Sequence, residues 1–471
     1  MIVGLLTLLF YVVFVISLIR LIADNREPTK TIAWLLVMLF LPVIGFLLYM
    51  ALGRDWRNAK RKQRDSKKLE HSSRRKFMSK LYSENKNSGV NLSSWSKSAI
   101  KLTTSNNKTQ ILMADSVKIF DNGQEKFDSL MEDISNAKSF INLEYFIWEK
   151  DELTKQIFDI LSKKIKDGIE VRIIYDFIGS IKYSKSELRK LKRMGAKVHA
   201  QARDFRKLNY RNHRKIAVID GLIGYTGGMN MGQEYIDGGG RYKTWRDTHL
   251  RVTGKAVYSL QDVFSRDWQK RTGEDLYKDK FFPSDAKTGN IITQLSYLGS
   301  ELEFEATKQL YLSAITNARD KIYIQSPYFI PDETLLDALV TSALSGVDVR
   351  VMITGVPDKK APWWAAQSFF AGLLAGGVKF YLYDDGFFHS KTLVKDNDMV
   401  SIGTTNFDIR SFSLQQEDTL LIFDSKLISE HYQIFNKDLK GCRQVTLDII
   451  KKESFLIKFR NSLSRLLANL Y

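Results

Sequence analysis

Asn212-His213-Arg214-Lys215-Ile216-Ala217-Val218-Ile219-Asp220, followed by Thr226-Gly227-Gly228-Met229-Asn230, has a counterpart near the other end of the chain. There it reads His389-Ser390-Lys391-Thr392-Leu393-Val394-Lys395-Asp396, then Gly403-Thr404-Thr405-Asn406. Each copy runs His, any residue, Lys, four residues, Asp, and then a glycine-containing turn that ends in Asn. Side chains alternate across a strand, so a His and a Lys two apart share one face. Two such faces brought together hold two imidazoles and two ammonium groups around one anion, an arrangement suited to phosphoryl transfer. A lone histidine carries no such weight, and His71, His199 and His431 read as ordinary surface or core residues.

Working outward, the motif closes a longer repeat. Phe140-Ile141-Asn142-Leu143-Glu144-Tyr145 corresponds to Lys321-Ile322-Tyr323-Ile324-Gln325-Ser326. Gly168-Ile169-Glu170-Val171-Arg172-Ile173 matches Gly346-Val347-Asp348-Val349-Arg350-Val351, and Gly195-Ala196-Lys197-Val198 matches Gly377-Val378-Lys379-Phe380. β-rich runs alternate with helical ones, which predicts α/β layering around a mostly parallel sheet. Ser184 with Glu187 predicts a capping box opening a helix that Gly195 ends. Because each copy carries half of the motif pair, the two lobes are expected to face each other as a pseudo-dimer within one chain.

The flanks differ in character. Ile2 to Ile19 is almost wholly apolar, and Thr31 to Leu52 is uncharged, so we read a hairpin of two membrane helices. The run from Arg54 to Lys80 is strongly basic, which places that flank in the cytoplasm and equips it to hold anionic headgroups. Ser83 to Thr109 is rich in Ser, Asn and Lys and reads as a linker. In the second copy, Ala361 to Leu374 is a short apolar run, read as a core helix or as a lipid-facing rim near the site. The tail from Lys451 to Tyr471 spaces Phe455, Phe459, Leu463, Leu466, Leu467 and Leu470 as a basic amphipathic helix, able to lie on a membrane or on the protein body. The division is therefore a hairpin over 1–53, a basic segment and linker over 54–110, lobes over 111–290 and 291–445, and the C-terminal helix over 446–471.

The 471 residues carry a net charge of +18, which favours an anionic partner, and a hydrophobic content of 44%, which supports a substantial core. The single cysteine, Cys442, excludes an intramolecular disulfide. With no His-Glu-x-x-His run and lysine a poor ligand, a metal-free site without a cofactor is expected.

The paired motifs resemble those of the phospholipase D superfamily. Asn25-Arg26-Glu27-Pro28 with the hairpin, Trp245-Arg246-Asp247-Thr248-His249 and Pro327-Tyr328-Phe329-Ile330-Pro331 look more narrowly like bacterial cardiolipin synthases. The resemblance implies two duplicated α/β/α lobes behind a transmembrane hairpin, a multi-pass protein of the bacterial cell membrane with its catalytic lobes in the cytoplasm. It implies phosphatidyl transfer between two phosphatidylglycerols through a phosphohistidine, with anionic lipid rather than nucleic acid as partner. A hydrolytic phospholipase D or a transferase using another alcohol is the alternative. The catalytic set would be His213, Lys215, Asp220, His389, Lys391 and Asp396. Of these, His213 is favoured as nucleophile and His389 as acid and base, while Asp220 and Asp396 are expected to anchor the motif strands. Asn230, Asn406 and Thr404 would hold phosphate. Asp247 would orient His213 and Glu417 would orient His389. Gly228 departs from the pattern, standing where a serine matching Thr404 is common.

Overall fold

The computed structural model describes residues 2–23, 28–49, 72–83, 92–180, 185–201, 210–299, 302 and 304–466. Outside these lie His71, Ser184 of the expected capping box, the basic run up to Lys68, Asn25 to Glu27, Leu467 and Leu470. The helix Lys185–Arg193, expected to follow Ser184, is present.

Among the described residues the first lobe holds a seven-stranded sheet. Its order is Ser116–Phe120, His249–Thr253, Ile223–Gly227, Lys215–Ile219, Phe140–Tyr145, Glu170–Asp176 and Lys197–Gln201. The second lobe repeats this order and every strand direction with Ile291–Leu298, Glu417–Ile422, Met399–Gly403, Thr392–Lys395, Lys321–Gln325, Asp348–Thr354 and Lys379–Tyr383. It adds Leu112–Ala114 at one edge and Cys442–Val445 at the other. Leu112–Ala114, assigned to the first lobe from sequence, thus pairs in the second.

The expected mostly parallel sheet is corrected to a mixed one. Among the seven strands the lobes have in common, only the last two neighbouring pairs are parallel; Cys442–Val445 is antiparallel, and the motif strand is antiparallel to both its neighbours. The cause is the motif itself. Asp220 and Asp396 adopt left-handed backbone, with φ of +54° and +44°. That conformation turns the chain straight back into a hairpin. Each carboxylate then accepts three backbone N–H groups at the start of the neighbouring strand: Lys138, Ser139 and Phe140 for Asp220, and Arg319, Asp320 and Lys321 for Asp396. The motif aspartates therefore lock strand register, as expected, at the end of the strand away from the histidines.

The lobes share a core in which Val218, Leu250 and Phe264 of the first meet Leu295, Val400 and Leu420 of the second. The stretch read as a linker packs instead on the second lobe's own core, through Ala99, Trp95 and Ile100. Ser94–Asn107 is a helix whose N-cap Ser93 accepts from Ser96 N–H. Buried Asn107 donates to the Tyr297 carbonyl at 2.7 Å. Small polar residues hid an element that is held by side-chain hydrogen bonds more than by apolar spacing. From the basic segment, Ser72–Ser83 is also a helix, fixed by Arg74 donating twice to the buried carboxylate of Asp262.

At the N-terminus, Ile2–Ala23 is helical, while the second apolar run divides into Pro28–Phe40 and Pro42–Leu48. The break falls at Leu41, because proline lacks the N–H that would continue the helix. Among the described residues, no helix is long and apolar enough to cross a membrane. The segments pack through Phe14, Leu21, Met38 and Tyr49, and leave Leu5, Leu8, Ile19, Leu39 and Phe40 exposed.

Candidate active site

Each motif histidine stands just before its strand, where the chain hydrogen-bonds to the opposite lobe. The His213 N–H donates to the Gln416 carbonyl at 2.9 Å, and the Gln416 N–H to the Arg211 carbonyl at 2.8 Å. In the mirror relation, the His389 N–H donates to the Arg246 carbonyl at 2.7 Å, and Phe387–Phe388 runs parallel to Trp245–Arg246. The residue after Gln416 is Glu417 and the residue after Arg246 is Asp247, so each backbone junction delivers a carboxylate to the facing imidazole. Nδ1 of His213 lies 3.1 Å from Glu417, and Nδ1 of His389 lies 2.7 Å from Asp247. This reverses the expected pairing of Asp247 with His213 and Glu417 with His389. Closeness along the chain suggested partners within a lobe, and the cross-lobe backbone bonds exchange them.

His213, His389, Asn230 and Asn406 line one cavity of about 620 Å³. Asn230 donates to the Tyr235 hydroxyl at 2.9 Å, whereas Asn406 Oδ1, though buried, has no hydrogen-bond partner among the described residues. Lys215 and Lys391 lie immediately behind the histidines. Both are buried, and each ammonium donates to the carbonyl of its own motif histidine, at 2.7 Å for Lys215. Thr404, expected on the phosphate, instead donates its hydroxyl to Glu417 and fixes that carboxylate. At the matching position, a Cβ on Gly228 would lie 2.0 Å from Asp247 Oδ1. The first lobe therefore pairs a bare glycine with a carboxylate one methylene shorter. What Gly228 lacks is a prop for the carboxylate rather than a phosphate contact.

Comparison with known proteins agrees with this architecture. The family described as "Cardiolipin synthase, PLD-like domain" matches residues 130–268 and 311–439, and the family "Phospholipase_D-nuclease N-terminal" matches 9–54. A cardiolipin synthase of Oceanobacillus iheyensis is 38% identical over 98% of each chain. One from Staphylococcus aureus is 41% identical over 94% of this chain and 92% of its own. The chain belongs to the cardiolipin synthase family with phospholipase D-like domains. Among solved structures, phosphatidylserine synthase of Haemophilus influenzae superposes with a TM-score of 0.62 at 16% identity, covering 79% of this chain and all of that one, a likeness of fold.

The electrostatics of this family member set the two histidines apart. Burial, reinforced by Lys215 and Lys391, holds His213 well below the ordinary imidazole range. Burial lowers His389 to about 4, with Lys391 adding to the effect and Asp247 opposing it. Both rings are therefore neutral at pH 7. Nδ1–H donated to ionised Asp247 leaves His389 its Nε2 lone pair, and His213 keeps its own in the state where Glu417 is ionised. The carboxylates diverge. Burial pushes Glu417 up to about 8 against the pull of Lys215. Asp247 resists its own burial and is held below the usual range by Lys391 and His389. The lysines are brought down by burial too, Lys215 to about 8 and Lys391 to about 7. Two lysines and two imidazoles gathered behind one cavity, with ionised Asp247 as counter-charge, suit the site to an anionic ligand.

Several cavity residues escaped the sequence reading. Arg211 lines the wall and is held by Asp176 at 2.6 Å, while Glu234 and Asp358 face the same space. None belongs to the repeated motif, and Glu234 and Asp358 have no matched counterpart in the other copy. Self-comparison therefore could not find them. The short apolar run proves to be two helices, Lys360–Gln367 and Phe370–Ala375. Ala365, Ala366 and Phe370 are buried, as the core reading expects, while Ala361 and Pro362 line the cavity.

Proposed function

We propose that this enzyme transfers a phosphatidyl group from one phosphatidylglycerol to another, giving cardiolipin and glycerol. The carrying observation is two imidazoles on one cavity, each held at Nδ1 by a buried carboxylate from the opposite lobe. Nε2 of His213 attacks phosphorus, a phosphorus–nitrogen bond forms, and the bond to the headgroup glycerol breaks. On binding the anionic lipid, His389 takes up a proton at Nε2, its imidazolium stabilised by ionised Asp247, and it gives that proton to the departing alkoxide. The second phosphatidylglycerol enters with its free primary hydroxyl toward neutral His389. His389 removes that proton, the oxygen attacks phosphorus, the phosphorus–nitrogen bond breaks, and both histidines return to their starting state.

The assignment of roles follows the carboxylates. A ring that carries a proton to and from the alcohols must pass through an imidazolium, and ionised Asp247 beside His389 stabilises that charge, which leaves His213 to attack. Lys215, Lys391, Asn230 and Asn406 stabilise the non-bridging oxygens as charge develops on them. The apolar surface of the N-terminal helices and the basic flank after them support a membrane hairpin with cytoplasmic lobes. Purified protein given headgroup-labelled phosphatidylglycerol in chelator should release labelled glycerol in step with cardiolipin. Phosphatidic acid as the sole lipid product would replace this reading with hydrolysis.

A further inference from the structure

The C-terminal helix Phe455–Leu466 is docked with its faces reversed from those of an ordinary surface helix. Its polar side meets the protein: Asn461 and Ser464 are buried. Arg460 stacks on the Trp364 ring at 4.6 Å, and Arg465 on Phe369 at 4.6 Å. Its apolar side points outward. Phe455 is 77% exposed, Leu456 75%, Phe459 56%, Leu463 52% and Leu466 78%. At 100° per residue these five fall within an arc of about 100°, an unbroken apolar stripe. Contiguous apolar surface of this kind marks a docking face, since water is its least favourable neighbour.

Two further observations identify the occupant. Exposed cations flank the stripe: Lys451 and Lys452 before the helix, and Lys458 and Arg465 along one border. An apolar strip bordered by cations complements an anionic lipid surface, with hydrocarbon below and phosphate above. Position agrees with this. Trp364, which anchors Arg460, lies on the helix Lys360–Gln367, whose first turn supplies Lys360, Ala361 and Pro362 to the cavity wall. One helix therefore separates the stripe from the catalytic cavity.

We infer that the C-terminal helix is an interfacial anchor for an anionic bilayer, seating the mouth of the cavity among the headgroups. The stripe enters the boundary between headgroups and acyl chains, the lysines hold phosphates, and the two arginine–aromatic contacts transmit that height to the cavity wall. A phosphodiester just below the lipid surface then reaches His213 without the lipid leaving the bilayer. The inference draws on the phosphatidyltransferase reading only for its activity readout.

The test uses the full chain in vesicles rich in phosphatidylglycerol. A nitroxide at Leu463→Cys in a Cys442→Ser background should become accessible to oxygen and shielded from a polar relaxant, and much less so in phosphatidylcholine vesicles. Phe459→Asp with Leu463→Asp should raise the surface fraction of phosphatidylglycerol needed for half-maximal rate by about tenfold, through loss of buried apolar area. The rate on dispersed short-chain phosphatidylglycerol should stay within about twofold, which also shows that the variant folds. A label that remains in water, or one broadened by a second label across a contact between copies, overturns the inference. So does an unchanged lipid dependence. An immersed label on a protein that makes no cardiolipin would sustain the anchor and defeat the proposed reaction instead.

Discussion

His213 Nδ1 lies 3.1 Å from both oxygens of Glu417, a side chain that reaches it from the opposite lobe. His389 and Asp247 repeat the relation at 2.7 Å. Each half of the molecule thus supplies the imidazole of one dyad and the carboxylate of the other. Neither lobe holds a complete dyad alone.

Glu417→Gln and Asp247→Asn should each lower kcat by on the order of 10²- to 10³-fold with little change in KM, because the ring loses its fixed tautomer while the cavity keeps its shape. Steady-state kinetics on mixed micelles would check this. Equal effects on kcat and KM would point to loss of the fold at the lobe junction.

The division of labour between the histidines can be read with a phosphatidyl ester of p-nitrophenol, whose leaving group needs no proton. His389→Ala should release a burst of nitrophenol and accumulate a phosphatidyl adduct on His213, visible by mass spectrometry of the intact protein. His213→Ala should give neither. A burst from His213→Ala would exchange the two roles.

Buried lysines predict an alkaline limb. Lys391 at about 7 and Lys215 at about 8 are cationic below those values and neutral above them. Since kcat/KM reports groups of the free enzyme, it should fall as pH rises through this range, while bound anionic lipid keeps both protonated and moves the limb of kcat higher. Profiles of kcat/KM and kcat that coincide would show that lipid does not contact this cationic pair.

Asp220→Ala and Asp396→Ala each remove a carboxylate that accepts three backbone N–H groups. Each should destabilise the protein by about 1–3 kcal/mol. Activity per folded molecule should change far less than in either histidine variant. Yield and thermal midpoint in detergent, set beside kcat normalised to folded protein, would separate an anchor from a reacting group.

His431 is buried, lies 2.9 Å from the Thr392 hydroxyl, and is brought to about 3 by burial. The unfolded chain, with a value near 6.5, binds the extra proton between these limits, so stability contributed by the neutral ring is complete above about 6.5 and is lost as pH falls toward 3. His431→Gln should flatten the pH dependence of unfolding across this window by about 1.4 kcal/mol per pH unit, the slope of one proton. An unchanged slope would mean that His431 takes up its proton equally in the folded and unfolded states.

The duplication, the two His-Lys pairs, the asparagines and the anchoring aspartates were legible in the residues, because each is a local pattern repeated at fixed offsets. Strand period puts His and Lys together, and Asp220 and Asp396 stand at the same offset after each motif lysine, while their left-handed backbone appears only in the fold. The partners of the histidines were not legible. Asp247 and Glu417 occupy matching places in the two copies, and only the backbone bonds from His213 to Gln416 and from His389 to Arg246 decide which carboxylate meets which ring. The helix Ser94–Asn107 was hidden for a related reason, since it is secured by single polar contacts to distant residues rather than by periodicity. Glu234 and Asp358 reach the cavity through packing alone. Sequence fixes what recurs along the chain. Contacts across the lobe junction depend on how two surfaces close, and that is a property of the folded whole.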